Sequence, residues 1–173
     1  MHRETQIGVP YIVHPMNVMR ILIDAGCDED IVIAGLLHDT IEDAHTPEDQ
    51  IRGAFGERVL QLVKSASEPD KSALLETRKK HTIEHLRLHA SGDELALAFA
   101  DKLDNLRSIN EDIERLQPGP EYWDRFNRPY DDQRWYYGEL GKIFAEKLTE
   151  SRFSYFIEEY KRIFERVFQG IWS

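Results

Sequence analysis

Apolar residues recur every three or four positions along most of this chain, which is the spacing of one face of an α-helix. Met16, Met19 and Leu22 belong to the apolar face of a helix predicted over 15–25, which Gly26 should end. Asp28 is a favourable N-cap for a second helix, predicted over 29–43. The pattern therefore predicts a chain that begins as two consecutive helices.

The same reasoning predicts helices along the rest of the chain, separated by Gly56, by Asp93 as a cap and by a Pro-Gly-Pro turn at 118–120. These helices cover 47–55, 57–65, 71–89, 94–116, 130–149 and 151–169, with a short segment at 121–127. No stretch alternates in the manner of a β-strand. We therefore expect an all-α helical bundle in a single domain, residues 1–173, with a motif-bearing core at about 3–116 and aromatic-rich helices at about 121–170.

Composition narrows the class of protein. The chain has 173 residues, 41% of them hydrophobic, and a net charge of −10, which argues against a nucleic-acid polymer as partner. The single Cys27 cannot form an internal disulfide, and no apolar run approaches the roughly 18 residues that a membrane-spanning helix needs. We expect a soluble, cytoplasmic protein with no membrane partner.

The second predicted helix contains a cluster of candidate functional residues. An apolar run is interrupted there by His38, Asp39, Glu42 and Asp43. On one continuous helix, His38 and Glu42 lie four residues apart, as do Asp39 and Asp43, so all four would crowd one patch. Three carboxylates in a half-buried patch repel one another unless positive charge lies among them. The pattern therefore favours a divalent metal ion.

Two distant residues break their apolar context in the same way. His14 precedes the predicted start of the first helix, and Asp101 follows the buried run Leu95–Ala100. One such residue alone is more often a core histidine or a helix cap, but two imidazoles with two carboxylates suit Zn, Mn or Fe, and the carboxylates favour Mn.

These segments together resemble a known family. The chain is similar to the HD superfamily of metal-dependent phosphohydrolases, and more closely to the RelA/SpoT-type hydrolase domain and the small stand-alone alarmone hydrolases. The resemblance covers roughly residues 3–110, and more loosely the tail around Trp135–Tyr137. It implies that the helical bundle is an HD-type domain. The matching segments are Pro10–Pro15, Gly35–Asp43, Phe55–Gly56, Arg78–Lys79 and Ala100–Arg107.

The resemblance implies a role for particular residues. The positions that match the family's metal ligands, usually for Mn²⁺, are His14, His38, Asp39 and Asp101. Glu42 and Asp43 match the pair that activates or orients the attacking water, and Asn105 matches an Asn at the ribose end of the nucleotide. Developing charge on the leaving group also needs cations. The candidates are Arg3, Arg78, Lys79 and Lys102, whose alternative role is that of solvated surface charges.

The expected function is a stand-alone hydrolase that removes pyrophosphate from the 3′ position of guanosine tetra- or pentaphosphate, with a small-molecule nucleotide as partner. Two alternatives remain open: an HD phosphohydrolase for another phosphorylated nucleotide, and a non-catalytic helical module stabilised by metal. Glu4 and Asp104 depart from the family pattern and bear on substrate choice. The aromatic C-terminal helices, including Trp135 and Tyr136, are expected in the core, or in a homo-oligomer contact if they stay exposed.

One further pattern belongs to the polar helix at 71–89. His81, His85 and His89 recur every four residues on it. That spacing is able to bind a metal, but the polar surroundings favour a solvated stripe.

Overall fold

Every regular element of the described residues is helical. The computed structural model describes residues 8–67, 75–126 and 129–169. The helices are α1 (Val13–Asp24), α2 (Glu29–Leu37), α3 (Thr40–Ala44), α4 (Glu48–Phe55), α5 (Glu57–Ala66), α6 (Leu75–Leu88), α7 (Gly92–Leu116), a 3-10 helix (Pro120–Arg125), α8 (Tyr130–Lys147) and α9 (Ser151–Val167). The prediction of an all-α fold is confirmed.

The backbone divides into two compact units. A central unit comprises His14–Asp101, and a terminal unit comprises Met1–Val13 together with Lys102–Ser173. Helix α7 contributes residues 92–101 to the central unit and 102–116 to the terminal unit. The sequence-based assignment of all residues to one domain stays a prediction.

The largest departure from the predicted elements lies at 38–39, where the expected helix 29–43 is interrupted. His38 is the C-cap of α2, and Asp39 stands before α3 with φ −96° and ψ −2°, in the bridge region of backbone space. The His38 ring donates to the Gly35 carbonyl at 2.8 Å, and the Thr40 hydroxyl donates to the Leu37 carbonyl at 2.6 Å. Because side chains compete for helix carbonyls, this stretch is two helices rather than one.

Two helix starts also differ from the prediction. Helix α1 begins at Val13, so His14 lies inside its first turn rather than before it. Pro15 fits there because the first four N–H groups of a helix have no partner within the helix. The cap of α7 is Ser91 rather than the predicted Asp93: Ser91 Oγ accepts from the Glu94 N–H at 3.3 Å, and Glu94 Oε2 accepts from the Ser91 N–H at 2.7 Å. This reciprocal pair is a capping box.

The core of the central unit forms where α5 packs against α2, α3 and α4. Val59, Leu60 and Val63 of α5 are fully buried. Helices α1 and α2 approach closely at Gly35, where a Cβ atom would lie 2.5 Å from the Leu22 side chain and 3.6 Å from the Met19 backbone. The lack of a side chain at Gly35 therefore lets α2 lie against α1, and these are the helices that carry His38 and His14.

The terminal unit is held together by aromatic packing between α8 and α9. Phe144, Phe153 and Phe168 are at most 1% exposed, which agrees with the expectation that the C-terminal aromatics close a core. Tyr136 is also buried, but Trp135 is 40% exposed and does not lie in the core. For an exposed aromatic side chain, the alternative from the sequence was a homo-oligomer contact, which stays a prediction. A period-3.6 pattern does not say which edge of a wide apolar stripe faces solvent. None of the helices that the structure describes is long and apolar enough to cross a membrane.

Candidate metal centre

The site starts from the orientation of the His38 ring. His38 is 2% exposed, and its Nδ1 lies 2.8 Å from the Gly35 carbonyl oxygen. A carbonyl oxygen only accepts, so Nδ1 carries the proton in this contact and Nε2 is left with its lone pair. This arrangement, in which a backbone carbonyl sets the tautomer, is the usual support of a metal-binding histidine.

The second imidazole faces the first. His14, on the buried side of α1, places its Nε2 3.2 Å from His38 Nε2, with the two rings nearly perpendicular. Both side chains are at least nine-tenths buried. Two buried nitrogen atoms directed at each other create a position that attracts either a shared proton or a cation.

Two carboxylates border the same position. Asp101 Oδ1 lies 3.3 Å from His14 Nε2 and 4.0 Å from His38 Nε2. Asp39 Oδ2 lies 3.1 Å from His38 Nε2 and 3.9 Å from His14 Nε2. The ligand atoms of His14, His38 and Asp101 all lie within 4.8 Å of one another. The central unit therefore collects side chains from α1, α7 and the α2–α3 junction into one cluster.

The electrostatics of the cluster favour positive charge. Burial by itself lowers the pKa of His38. The hydrogen bond that Nε2 donates to Asp39 when the ring is protonated, and the charges of Asp101 and Asp39, outweigh burial, so the pKa lies above its ordinary value. The neighbouring His14 opposes this rise. A buried imidazole whose protonated form is stabilised in this way marks a place where the protein compensates a cation.

The donor set fits a divalent transition metal. Two ligand atoms that each lie about 2.1 Å from one ion are roughly 3.0 to 3.4 Å apart when adjacent in its coordination shell. The separations of 3.1, 3.2 and 3.3 Å between neighbouring donor atoms fall in that interval. Imidazole nitrogen with carboxylate oxygen is also a donor combination that such ions accept. The cluster therefore is able to bind a metal ion.

The carboxylates predicted to handle water lie on α3. Glu42 is half-buried and Asp43 is exposed, three and four residues after Asp39. The break at His38 and Asp39 means that His38 and Glu42 do not belong to one continuous helix, contrary to the expectation from the sequence. The Asp43 N–H still donates to the Asp39 carbonyl at 2.8 Å. Both carboxylates are carried by a separate short helix that begins at the cluster.

The predicted substrate contacts are distributed over both units. Arg78 and Lys79 are half-buried on α6, in the central unit. Lys102 and Asn105 are half-buried on α7, in the part assigned to the terminal unit, and Asn105 follows Asp101 by four residues, one helical turn. Arg3, like the neighbouring Glu4, lies outside the described residues. Asp104 is 1% exposed.

Two supporting residues were missed by the sequence-based reasoning. Gly35 supplies the carbonyl that orients His38. The Thr40 hydroxyl donates to the carbonyl of Leu37, the last residue of α2. The available signal for Gly35 was its position three residues before His38, a candidate ligand. A threonine directly after His38-Asp39 was the signal for the second.

Comparison with known proteins places this geometry in a family. A family model described as "HD domain" matches residues 1–119. Among solved structures, the lmo0812 protein of Listeria monocytogenes EGD-e superposes with a TM-score of 0.80 at 40% identity, covering 95% of this chain and 99% of that chain. A metazoan ortholog of SpoT, described as hydrolyzing ppGpp with a role in starvation responses, gives a TM-score of 0.74 at 28% identity, covering 97% and 88% of the two chains.

The chain also resembles characterised enzymes over part of its length. The zebrafish (Danio rerio) protein named guanosine-3′,5′-bis(diphosphate) 3′-pyrophosphohydrolase MESH1 is 38% identical over 111 residues, 63% of this chain and 60% of the relative. Human MESH1 is 40% identical over 110 residues, 62% of this chain and 60% of the relative. This chain thus aligns with about 60% of the length of these relatives. From the family match and the Listeria structure together, the chain belongs to the HD-domain family.

Proposed function

We propose that this protein is a metal-dependent phosphohydrolase that removes pyrophosphate from the 3′ position of guanosine 3′,5′-bis(diphosphate). The observation that carries the proposal is the convergence of His14, His38 and Asp101, with Asp39 at the border of the cluster. The sequence identity of 38% to 40% with relatives named for this reaction supports the choice of substrate.

In this proposal His14, His38, Asp39 and Asp101 hold one divalent ion, with Mn²⁺ as the expected species. The two carboxylates favour Mn²⁺ over softer ions. When bound, such an ion supplies positive charge that polarises a phosphoryl oxygen and makes a water molecule easier to deprotonate. The Gly35 carbonyl keeps the His38 ring oriented for this role.

Glu42 and Asp43 are assigned to the attacking water. One of them accepts its proton while the other holds it in line with the phosphorus of the 3′-diphosphate. The attacked phosphorus is the one bonded to the ribose 3′ oxygen. That bond breaks, and the oxygen takes up the proton that the carboxylate removed from the water, so it leaves as the 3′ hydroxyl. The products are GDP and pyrophosphate, so atoms and charge balance without a further reactant.

The basic residues and Asn105 are assigned to the substrate. Arg78, Lys79, Lys102 and Arg3 are proposed to bind the diphosphate groups, because their positive charge offsets the charge that develops as the ester bond breaks. Asn105, one helical turn after Asp101, is proposed to contact the ribose. Glu4 and Asp104 are expected to affect which nucleotide is preferred.

The test is a nucleotide panel. The purified chain is incubated with Mn²⁺ and guanosine 3′,5′-bis(diphosphate), or with nucleotides that carry a single 3′- or 2′-phosphate, and phosphate and pyrophosphate are measured separately. Pyrophosphate released from the bis(diphosphate) alone supports the proposal. Phosphate released from the other nucleotides instead indicates an HD phosphohydrolase of different specificity. Metal bound in stoichiometric amount with no turnover of any substrate indicates a non-catalytic module.

A cytoplasmic location and a homo-oligomeric state are part of the same proposal. The exposed Trp135 on α8 provides one apolar position for contact between copies. Light scattering of the purified chain determines the oligomeric state directly.

A further inference from the structure

The histidine stripe on α6 is accompanied by a carboxylate from another helix of the central unit. His85 lies in the last turn of α6 and His89 directly follows that helix, with their ring centroids 6.3 Å apart. The His89 N–H donates to the His85 carbonyl at 2.8 Å, so the helical spacing continues to His89. Glu94, in the first turn of α7, places Oε1 3.7 Å from His85 Nε2. The carboxylate therefore lies beside one imidazole, and the second imidazole is one helical turn further along the chain, where the end of α6 lies next to the start of α7.

The Glu94 carboxylate is held in place before any ligand arrives. Its Oε2 accepts the Ser91 N–H at 2.7 Å, and the Glu94 N–H donates to Ser91 Oγ at 3.3 Å. The capping box therefore uses one carboxylate oxygen and directs the other, Oε1, towards His85. A pre-oriented ligand loses less conformational entropy on binding than a freely rotating one.

We propose that His85, His89 and Glu94 form a second metal site, separate from the His14–His38–Asp101 cluster, that binds a zinc-class divalent ion. Two histidines at i and i+4 on a helix bind such an ion from one face of the helix, and a carboxylate completes a three-ligand set. Three protein ligands leave a further position for water or for a small anionic ligand.

The separation between His85 and Glu94 agrees with this assignment, and His89 has to turn towards them. Among the described residues, only His14, His38 and Asp101, as a set of three, already have ligand atoms within 4.8 Å of one another. At 3.7 Å, the contact between His85 Nε2 and Glu94 Oε1 is longer than a hydrogen bond but close to the roughly 3.4 Å between two ligands of a tetrahedral Zn²⁺. Imidazole rings bound to one Zn²⁺ have centroids about 5 to 6 Å apart, so the pair at 6.3 Å has to close slightly. His89 is exposed, and exposed side chains change rotamer within nanoseconds.

The surrounding charges leave Glu94 available for a cation. The adjacent acid Asp93 pairs with Arg58 at 2.8 Å, so that guanidinium is directed to Asp93. The net charge of −10 also favours cation binding over anion binding at the surface. His81, one turn before His85, is exposed and is not needed for the three-ligand set.

The experiment measures Zn²⁺ binding by calorimetry on the full, tag-free chain. The wild type should bind one more equivalent than H85A or H89A, or bind that equivalent at least tenfold more tightly. E94Q should weaken it by about tenfold, since glutamine still accepts the Ser91 N–H in a capping box. H81A is the matched control: it removes an exposed imidazole from the same helix and should leave binding unchanged. Alanine is a strong helix former, so these variants should keep the far-UV circular dichroism of the wild type.

Two results would overturn the proposal. In one, H85A retains every Zn²⁺ equivalent of the wild type at the same affinity. In the other, H81A loses as much binding as H89A, which would move the ligand pair to His81 and His85. The D101N variant separates the two sites: if it loses one equivalent and keeps the one that depends on His85, the second site stands independently of the proposed enzymatic function.

Discussion

At the scale of single residues, the centre depends on which nitrogen of His38 carries a proton. The Gly35 carbonyl at 2.8 Å assigns that proton to Nδ1 and leaves Nε2 facing His14 Nε2 at 3.2 Å. Asp39 and Asp101 then lie 3.1 Å from His38 Nε2 and 3.3 Å from His14 Nε2, respectively. Ligand and water-handling roles are therefore assigned to different residues, and single substitutions should separate them.

The first prediction separates metal binding from turnover. Asp39→Ala should lose bound metal, because it removes the carboxylate closest to His38 Nε2. Glu42→Ala should keep the metal and lose about 10²- to 10⁴-fold in turnover, which is the usual contribution of a positioned general base. Metal content by elemental analysis and pyrophosphate release are measured on the same samples. A fully active Glu42→Ala variant would show that the water-handling pair is assigned wrongly.

At the scale of elements, the spacing between helices determines whether the two imidazoles can meet. Gly35 allows the close approach of α1 and α2, since a Cβ there would lie 2.5 Å from the fully buried Leu22 side chain. The short helix α3 then begins directly after the break at Asp39 and carries Glu42 and Asp43. The geometry of the cluster is thus a consequence of packing around α2.

The second prediction tests that approach. Gly35→Ala should lower the free energy of unfolding by about 1 kcal/mol, because overpacking costs roughly 1–3 kcal/mol while replacing a helical glycine gains only about 0.5–1 kcal/mol. Gly53→Ala is the matched control on α4, where a Cβ meets nothing within 4 Å. This control should stabilise the protein. Chemical denaturation measures both; equal stabilisation by the two substitutions would contradict the packing argument.

The third prediction concerns the start of α2 and acid. Asp28 caps this helix and also pairs with Arg58 at 2.7 Å, and that contact holds the pKa of Asp28 below its ordinary value. A lowered folded-state pKa stabilises the protein at neutral pH, and this stabilisation is lost as pH falls through the folded-state pKa. The difference in unfolding free energy between wild type and Asp28→Asn should therefore shrink as pH falls through and below about 4.

Asp28→Ala serves as the comparison for that measurement. It removes the cap together with the charge, and the loss of an N-cap costs about 1 kcal/mol. Asp28→Ala should therefore be less stable than Asp28→Asn at neutral pH, since asparagine still caps a helix. If the wild type and Asp28→Asn differed equally at pH 7 and pH 3, the contribution of the Arg58 pair would be refuted.

At the scale of the whole molecule, the cluster joins residues that are far apart in the chain. His14 and Asp101 are the first and last residues of the central unit, and His38 lies between them in sequence. An ion bound to all three stabilises the native state only, because the unfolded chain cannot bring these ligands together. Metal binding should therefore be visible as an increase in thermal stability.

The fourth prediction follows from that linkage. Mn²⁺ at about 100 times its dissociation constant should stabilise the native state by about 2.7 kcal/mol, which corresponds to a rise in Tm of roughly 5 to 10 °C for a chain of this length. Scanning calorimetry with Mn²⁺ and with a chelator measures the difference. The Asp101→Asn variant should show a much smaller rise, and an undiminished rise in that variant would mean that the ion binds elsewhere.

Most of the helices could be predicted from the sequence, because helix formation depends on the residue pattern within each segment. The 3.6-residue period, Gly26, Gly56 and the breaker at 118–120 placed most helix ends within a few residues of those observed. His14, His38 and Asp101 were identified because each interrupts an apolar run, and a charged or polar group in a buried position requires a partner. All three residues lie within residues 1–119, which the HD-domain family model matches, and their role as ligands stays a prediction.

Other features depended on contacts that no local pattern records. The break at His38 and Asp39 required side-chain hydrogen bonds to Gly35 and Leu37, which compete with a strong helical pattern. Trp135 is exposed while the adjacent Tyr136 is buried, and the helical period alone does not separate these two neighbours. The contact between Glu94 and His85 depends on where α7 begins relative to the end of α6.

The sequence by itself determined the helical class, the approximate helix boundaries and the identity of the ligand-type residues, because these follow from periodicity and from the cost of burying polar groups. Only the tertiary structure decided that His38 Nε2 faces His14 Nε2, that the helix at 29–43 is two helices, and that Glu94 lies beside His85. These features arise from distances between residues far apart in the chain, and packing between helices, rather than local propensity, determines such distances.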